Sequence, residues 1–181
     1  MNTNRLSKKI TKALNEQMTK EAHAAQIYLS YGAWAVGQGY AGIANFLFRH
    51  SHEERNHMMK FMEYIQERGA KAIVTAIPAP PADPTSINNC FEKVFQHEVD
   101  NTSAIYDLVN LSHEERDWAT FSFMQWFVKE QLEEETLAQS LMNKIKIAGG
   151  EGAKAEALYN LDKDLEKTPD EGKKAEQAKE E

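Results

Sequence analysis

Four of the chain's five prolines lie between positions 78 and 84, in the stretch IPAPPADPTS, and the fifth is Pro169. A proline inside a helix removes a backbone donor and collides with the preceding turn. Confining prolines in this way leaves two long tracts, 1–77 and 85–168, free to be helical. In both tracts apolar residues recur with the helical period, and no long alternating run of the kind that marks a strand appears. The pattern predicts one helix from about Ser7 to Val36, stopping near GQGYAG, and a second from about Ala41 to Arg68 with Gly69 at its C-cap. A third is expected from Ser86, as N-cap, to about Leu111, and a fourth from about Asp117 to Ala148, ended by two glycines. A shorter fifth helix over about 153–166 carries an apolar stripe of Ala157, Leu158, Leu161 and Leu165. The polar remainder is expected to be a disordered tail over 169–181, leaving 1–168 as one domain.

Helices of about 27 residues are roughly 40 Å long. Short turns make the first and second helices antiparallel, and likewise the third and fourth. The connection between second and third, about 17 residues, is long enough to run the length of a bundle, which explains a loop of that size in a compact domain. The expected fold is all-α: a ferritin-like four-helix bundle with one long crossover between second and third helices, plus a short fifth helix.

Composition narrows the partners. A net charge of −7 and a pI of about 5.4 argue against nucleic acid and favour cations. No run of about 18 apolar residues is present, so no membrane partner is expected. The N-terminus lacks the apolar core of a signal peptide, and Cys90 is the single cysteine, so a reducing cytoplasm is the expected compartment. One cysteine also excludes a four-cysteine metal site.

The inward stripes carry the chemistry. They read Ile10, Leu14, Gln17, Glu21, Ala24, Tyr28, Tyr31 on the first helix and Ile43, Leu47, His50, Glu54, His57, Phe61, Tyr64 on the second. The third reads Phe91, Val94, Glu98, Thr102, Ile105, Leu108, and the fourth Met124, Phe127, Gln131, Glu134, Ala138, Leu141, Ile145. Each apolar stripe is interrupted near its midpoint by a carboxylate. Four ionised carboxylates in one core are prohibitive without cations, and two divalent ions balance them. Oxygen-rich ligation with one imidazole suits iron or manganese better than structural zinc. Glu54 and His57, at i and i+3, project towards one metal. Glu21 and Glu98 are single ligands from the other pair of helices. Glu134 supplies the fourth carboxylate, and Gln131 faces the same pocket. Tyr28 lies two turns beyond Glu21, placed to hydrogen-bond a ligand or donate an electron. The run KEQLEEE crowds Glu130, Glu133 and Glu134 beside Glu53, so Glu53, Glu130 and Glu133 are candidates for a third, weaker metal position.

The pentapeptide Ser-His-Glu-Glu-Arg occurs twice, at 51–55 and at 112–116. Only the first copy has a histidine three residues after its second glutamate; the second has Trp118 there. The second copy falls where one helix ends and another begins, and Ser112 to Glu115 has the spacing of a capping box. The first is expected to be the metal motif and the second a turn.

Together LNEQMTKE, FRHSHEERNHM, the His97–Glu98 pair, FSFMQWFVKEQLEEE and LYNLDKDL resemble the bacterial non-haem ferritins over residues 6–166. The resemblance implies a homo-oligomeric cage of twenty-four subunits that oxidises Fe²⁺ with O₂ or hydrogen peroxide and stores ferric mineral. It implies a first iron on Glu21, Glu54 and His57, with Glu54 bridging to a second iron held by Glu98 and Glu134 with Gln131 close by. Glu53, Glu130 and Glu133, with Glu134, match the third iron position, and Tyr28 and Trp126 the aromatic residues beside the centre. No haem is expected, because Arg55 and Gln131 stand where the haem-containing relatives have methionine and glutamate. A passive metal-binding shell and a di-iron peroxidase of the same fold are the alternatives.

Overall fold

The computed structural model describes residues 3–167; the tail expected at 169–181 lies outside the described residues. Five α-helices follow one another: α1 Lys8–Gly37, α2 Ala41–Glu67, α3 Ile87–Glu114, α4 Trp118–Ala148 and α5 Ala155–Lys167. A 3₁₀ turn, Gly150–Gly152, precedes α5 and has no counterpart in the sequence expectations. Among the described residues there is no strand, and no helix is long and apolar enough to cross a membrane. The bundle and its single long crossover are those expected.

The helix ends follow local chemistry. Ser7 accepts from the Ile10 amide, Ser86 from the Asn89 amide and Asp117 from the Thr120 amide, which caps α1, α3 and α4. Gly69 and Gly149 adopt φ of +76° and +117° just past α2 and α4, the left-handed region where glycine costs least. Tyr40 at the start of α2 has no capping side chain; instead Asp162 of α5 reaches across, its Oδ1 accepting from the Ile43 amide at 2.9 Å. The crossover is tied to α1 by Asn15, which donates to the Lys71 carbonyl and accepts from the Ile73 amide.

One expectation fails. Helix α3 runs three residues past Leu111, and Ser112 is not a cap: its hydroxyl donates to the Val109 carbonyl within α3, at 2.7 Å. Glu115 ends α3, Arg116 turns the chain at φ +55°, and Asp117 caps α4. A serine at this depth satisfies itself on its own helix, and the shorter carboxylate one residue before the new helix takes the free amide.

Every residue of the four inward stripes is buried. The apolar ones form two separate clusters. One gathers Tyr28, Tyr31, Ile43, Leu47, Phe91, Val94, Leu141 and Ile145 with α5's Leu161 and Leu165. The other gathers Ile10, Leu14, Met18, Phe61, Ile65, Ile105, Met124 and Phe127. Each fully buried side chain of this size contributes about 1.5–3 kcal/mol, so two cores hold the bundle. Between them lies a layer of buried polar groups from α1 to α4: Gln17, Glu21, His50, Glu54, His57, Glu98, Asn101, Thr102, Gln131 and Glu134.

Candidate metal centre

The polar layer sorts into three clusters in which one ligand atom from each residue lies within 4.8 Å of the others: Glu21, Glu54 and His57; Glu54, His97 and Glu98; and His50, Glu53 and Glu134. Glu54 belongs to two of them, so it sits between the first and second positions. Glu21 and Glu98 are 1% exposed and Glu54 3%. Burial is the first cause that drives the Glu21, Glu54 and Glu98 carboxyls above their ordinary range, with repulsion behind it, from Glu54 on Glu21, from Glu98 on Glu54 and from Glu134 on Glu98; Glu98 reaches about 7. Without positive charge beside them, burial favours the protonated form of these three carboxyls.

Two atoms state the deficit directly. Glu54 Oε2 and His57 Nδ1 face each other at 3.4 Å, and neither makes a hydrogen bond. Buried polar atoms without partners are rare in folded proteins, and a cation held by both satisfies both. Helix spacing produces this pair, since residues three apart share a face. The Tyr28 hydroxyl donates to Glu98 Oε1, and the Gln131 amide donates to Glu98 Oε2 at 3.3 Å. Burial raises the Tyr28 phenol well above its ordinary value, which keeps it a donor.

His50 is the residue that the sequence reading placed inward but gave no role. Its Nδ1 bonds the Phe46 carbonyl at 3.0 Å, which turns Nε2 towards Glu134 Oε2, 3.4 Å away. A backbone carbonyl on one ring nitrogen is how metal-binding imidazoles are commonly oriented, the other nitrogen being the one that meets the metal; in the metal-free protein that nitrogen meets Glu134. The only signal for it in the sequence is its place one turn before Glu54. Burial opposes ionisation of both partners. For Glu134 the His50 contact outweighs burial and brings the carboxyl below its ordinary value; His50 is raised. His97 is the second addition. It adjoins Glu98, and its Nε2 is buried without a hydrogen bond.

The third set is gathered in part. Glu53 lies with Glu134, as expected, and with His50, and the Glu130 charge is near enough to help raise its carboxyl. Glu130 Oε1 lies 3.8 Å from His57 Nε2, on the far side of that ring from Glu54. Glu133 is exposed and paired with Lys129 one turn earlier, at 3.7 Å. Trp126 stands edge-on to His57, ring centres 5.5 Å apart, with the Lys60 ammonium 4.2 Å over its face.

A bundle of four long helices, one crossover and a carboxylate–imidazole layer at mid-height defines a ferritin-like domain, and the model of that domain matches residues 11–148. The chain belongs to the ferritin family. It is 40% identical to a probable bacterial non-heme ferritin-like protein of Haemophilus influenzae over 160 residues, 88% of this chain and 95% of that one. It is 38% identical to a bacterial non-heme ferritin of Staphylococcus saprophyticus, with 88% and 94% of the two chains covered. Among solved structures, the open pore ferritin of Archaeoglobus fulgidus superposes with a TM-score of 0.87 at 35% identity, covering 91% of this chain and 99% of that one.

Proposed function

We propose that the chain is a ferroxidase and iron store. The observation that carries this reading is the orphaned Glu54–His57 pair inside a layer of four buried carboxylates, whose charge two divalent cations would balance. Two Fe²⁺ enter as substrates. Glu21, Glu54 and His57 hold the first, and Glu54, Glu98 and Glu134 the second. Binding displaces the protons held on Glu21, Glu54 and Glu98. Each Fe²⁺ then gives one electron to O₂, which takes two protons and leaves as hydrogen peroxide; where peroxide is the oxidant, the same two electrons and two protons reduce it to two waters. His57 at the first position and His97 beside the second are the imidazoles within reach, and the carboxylates around them favour the harder Fe³⁺ ions. The oxidised ions can pass on to mineral in the cavity of a homo-oligomeric cage, for which the family resemblance is the support. Glu53, with His50 and Glu134 beside it and Glu130 near His57, forms the weaker third position.

Rapid O₂-dependent Fe²⁺ oxidation that exceeds the buffer rate tests the reading, with ferric mineral retained by the assembled protein on size exclusion. Oxidation no faster than buffer would leave a passive shell.

A further inference from the structure

Three buried amides join the two metal positions. Gln17 Nε2 donates to Glu21 Oε1 at 2.7 Å and to Asn101 Oδ1 at 2.6 Å. Asn101 Nδ2 donates to Glu21 Oε2 at 3.5 Å and to Gln131 Oε1 at 3.3 Å. Gln131 Nε2 donates to Glu98 Oε2, the Glu98 carbonyl and Thr102 Oγ1, each at 3.3 Å. The chain therefore runs from the Glu21 carboxylate on α1, through α3 and α4, to the Glu98 carboxylate. Its sense is fixed where the two end carboxyls act as acceptors. Turning the Asn101 amide over would aim its oxygen at Glu21 and its NH₂ at the Gln17 NH₂; turning Gln131 over would aim oxygen at Glu98.

We infer that Asn101 is a positioning residue that sets both metal positions at once, through Glu21 on one side and through Gln131 and Glu98 on the other. This rests on the reading of a metal pair given above. Gln17, Asn101 and Gln131 are 2%, 7% and 1% exposed, so the chain sits where apolar side chains would pack at less desolvation cost. Buried polar networks are costly unless complete, and this one is complete only because its donors end on carboxylates. Its effect is to hold Glu21 and Glu98 in place before a cation arrives, the task of partners one layer behind metal ligands. The same chain occupies the Gln131 amide oxygen with Asn101, so Gln131 acts on the second position as a donor to Glu98 and not as a ligand.

Anaerobic Co²⁺ titration of the assembled protein, read by d–d absorption and calorimetry, tests this without turnover. His57→Ala identifies the phase belonging to the first position. Asn101→Leu should weaken both phases by about tenfold or more, with the helical circular dichroism unchanged. Gln17→Leu should weaken the first phase alone and Gln131→Leu the second alone. Should Asn101→Leu fail to assemble, Asn101→Ser, too short to span Glu21 and Gln131, carries the same expectation. Wild-type affinity at both positions in the Asn101 variant, or a loss at one only, overturns the inference. Wild-type protein that binds no pair of Co²⁺ ions overturns the metal-pair reading and the inference with it.

Discussion

The two copies of Ser-His-Glu-Glu-Arg have the same five side chains and different surroundings. In both the serine hydroxyl serves a backbone carbonyl, Ala25 for Ser51 and Val109 for Ser112. In both the histidine is exposed. The fourth residue separates them. Glu54 lies mid-way along α2 at the height where α1, α3 and α4 also present carboxylates, and it is buried. Glu115 closes α3 at the end of the bundle, where it is exposed and pairs with Lys9 at 3.4 Å. A carboxylate becomes a candidate ligand here through its level in the bundle, and the pentapeptide by itself confers nothing.

The largest expected effect is the contrast between the fourth residues. Glu54→Ala should slow Fe²⁺ oxidation by more than about a hundredfold, since it removes the residue shared by two positions, while elution on size exclusion stays at wild type. Glu115→Ala should leave the rate at wild type. Stopped-flow absorbance with size exclusion reads both, and equal rates in the two variants would erase the comparison.

Next in size is a pH effect on the metal-free protein. Burial raises Glu54 well above its ordinary value, and Glu98 from 4.5 to about 7. The folded state then holds protons that the unfolded chain releases, so stability from these groups is present below about 4.5 and lost as pH rises through about 7. Glu54→Gln should therefore match wild type in Tm at pH 4–5 and exceed it increasingly towards pH 8. A constant Tm difference across the range for Glu54→Gln counts against a buried, proton-holding carboxyl.

A smaller effect is expected beside the first copy. Glu130→Ala should preserve fast oxidation of the first pair of irons and alter the O₂ consumed per iron in later additions, because Glu130 faces His57. Glu133→Ala should cost only a few tenths of a kcal/mol of helix stability, the usual scale of its exposed i,i+4 pair with Lys129. Oxygen-electrode traces over successive additions distinguish them; a Glu130→Ala trace identical to wild type removes Glu130 from the iron path.

The smallest effect is none at all. Trp118→His gives the second copy the i+3 imidazole that it lacks, and His113→Ala removes its own. Neither should change Co²⁺ stoichiometry or oxidation rate. Extra Co²⁺ bound by Trp118→His would show that the pentapeptide and its spacing suffice.

The stripes were legible because burial on a helix follows its 3.6-residue period, and an interruption by Glu at one height on all four helices has few alternatives. Ser86 was legible as a cap because capping is local. His50 and Asn101 were not. Their parts depend on which helices meet across the core, Glu134 for one and Gln17 with Gln131 for the other, and no spacing along a single helix encodes that. Ser112 misled for the opposite reason: its spacing to Glu115 fits a cap, but the deciding group, Asp117, lies outside the motif. Glu133 was grouped by proximity in sequence, whereas Lys129 on its own helix face draws it outward.

Helix α5 meets α2 at Gly42, where a Cβ atom would fall 1.8 Å from the Asp162 carbonyl oxygen, and the Asp162 side chain holds the next amide. That contact indexes α2. Were α2 to slip by one residue it would turn by about 100° and bring Ala41 or Ile43 against a backbone that admits neither. Glu54 and His57, some 12 to 15 residues further on and about 18 to 22 Å up the same rigid rod, inherit their height and bearing from this datum. The terminal helix thus acts as a mechanical stop whose tolerance is passed along α2 to the metal layer.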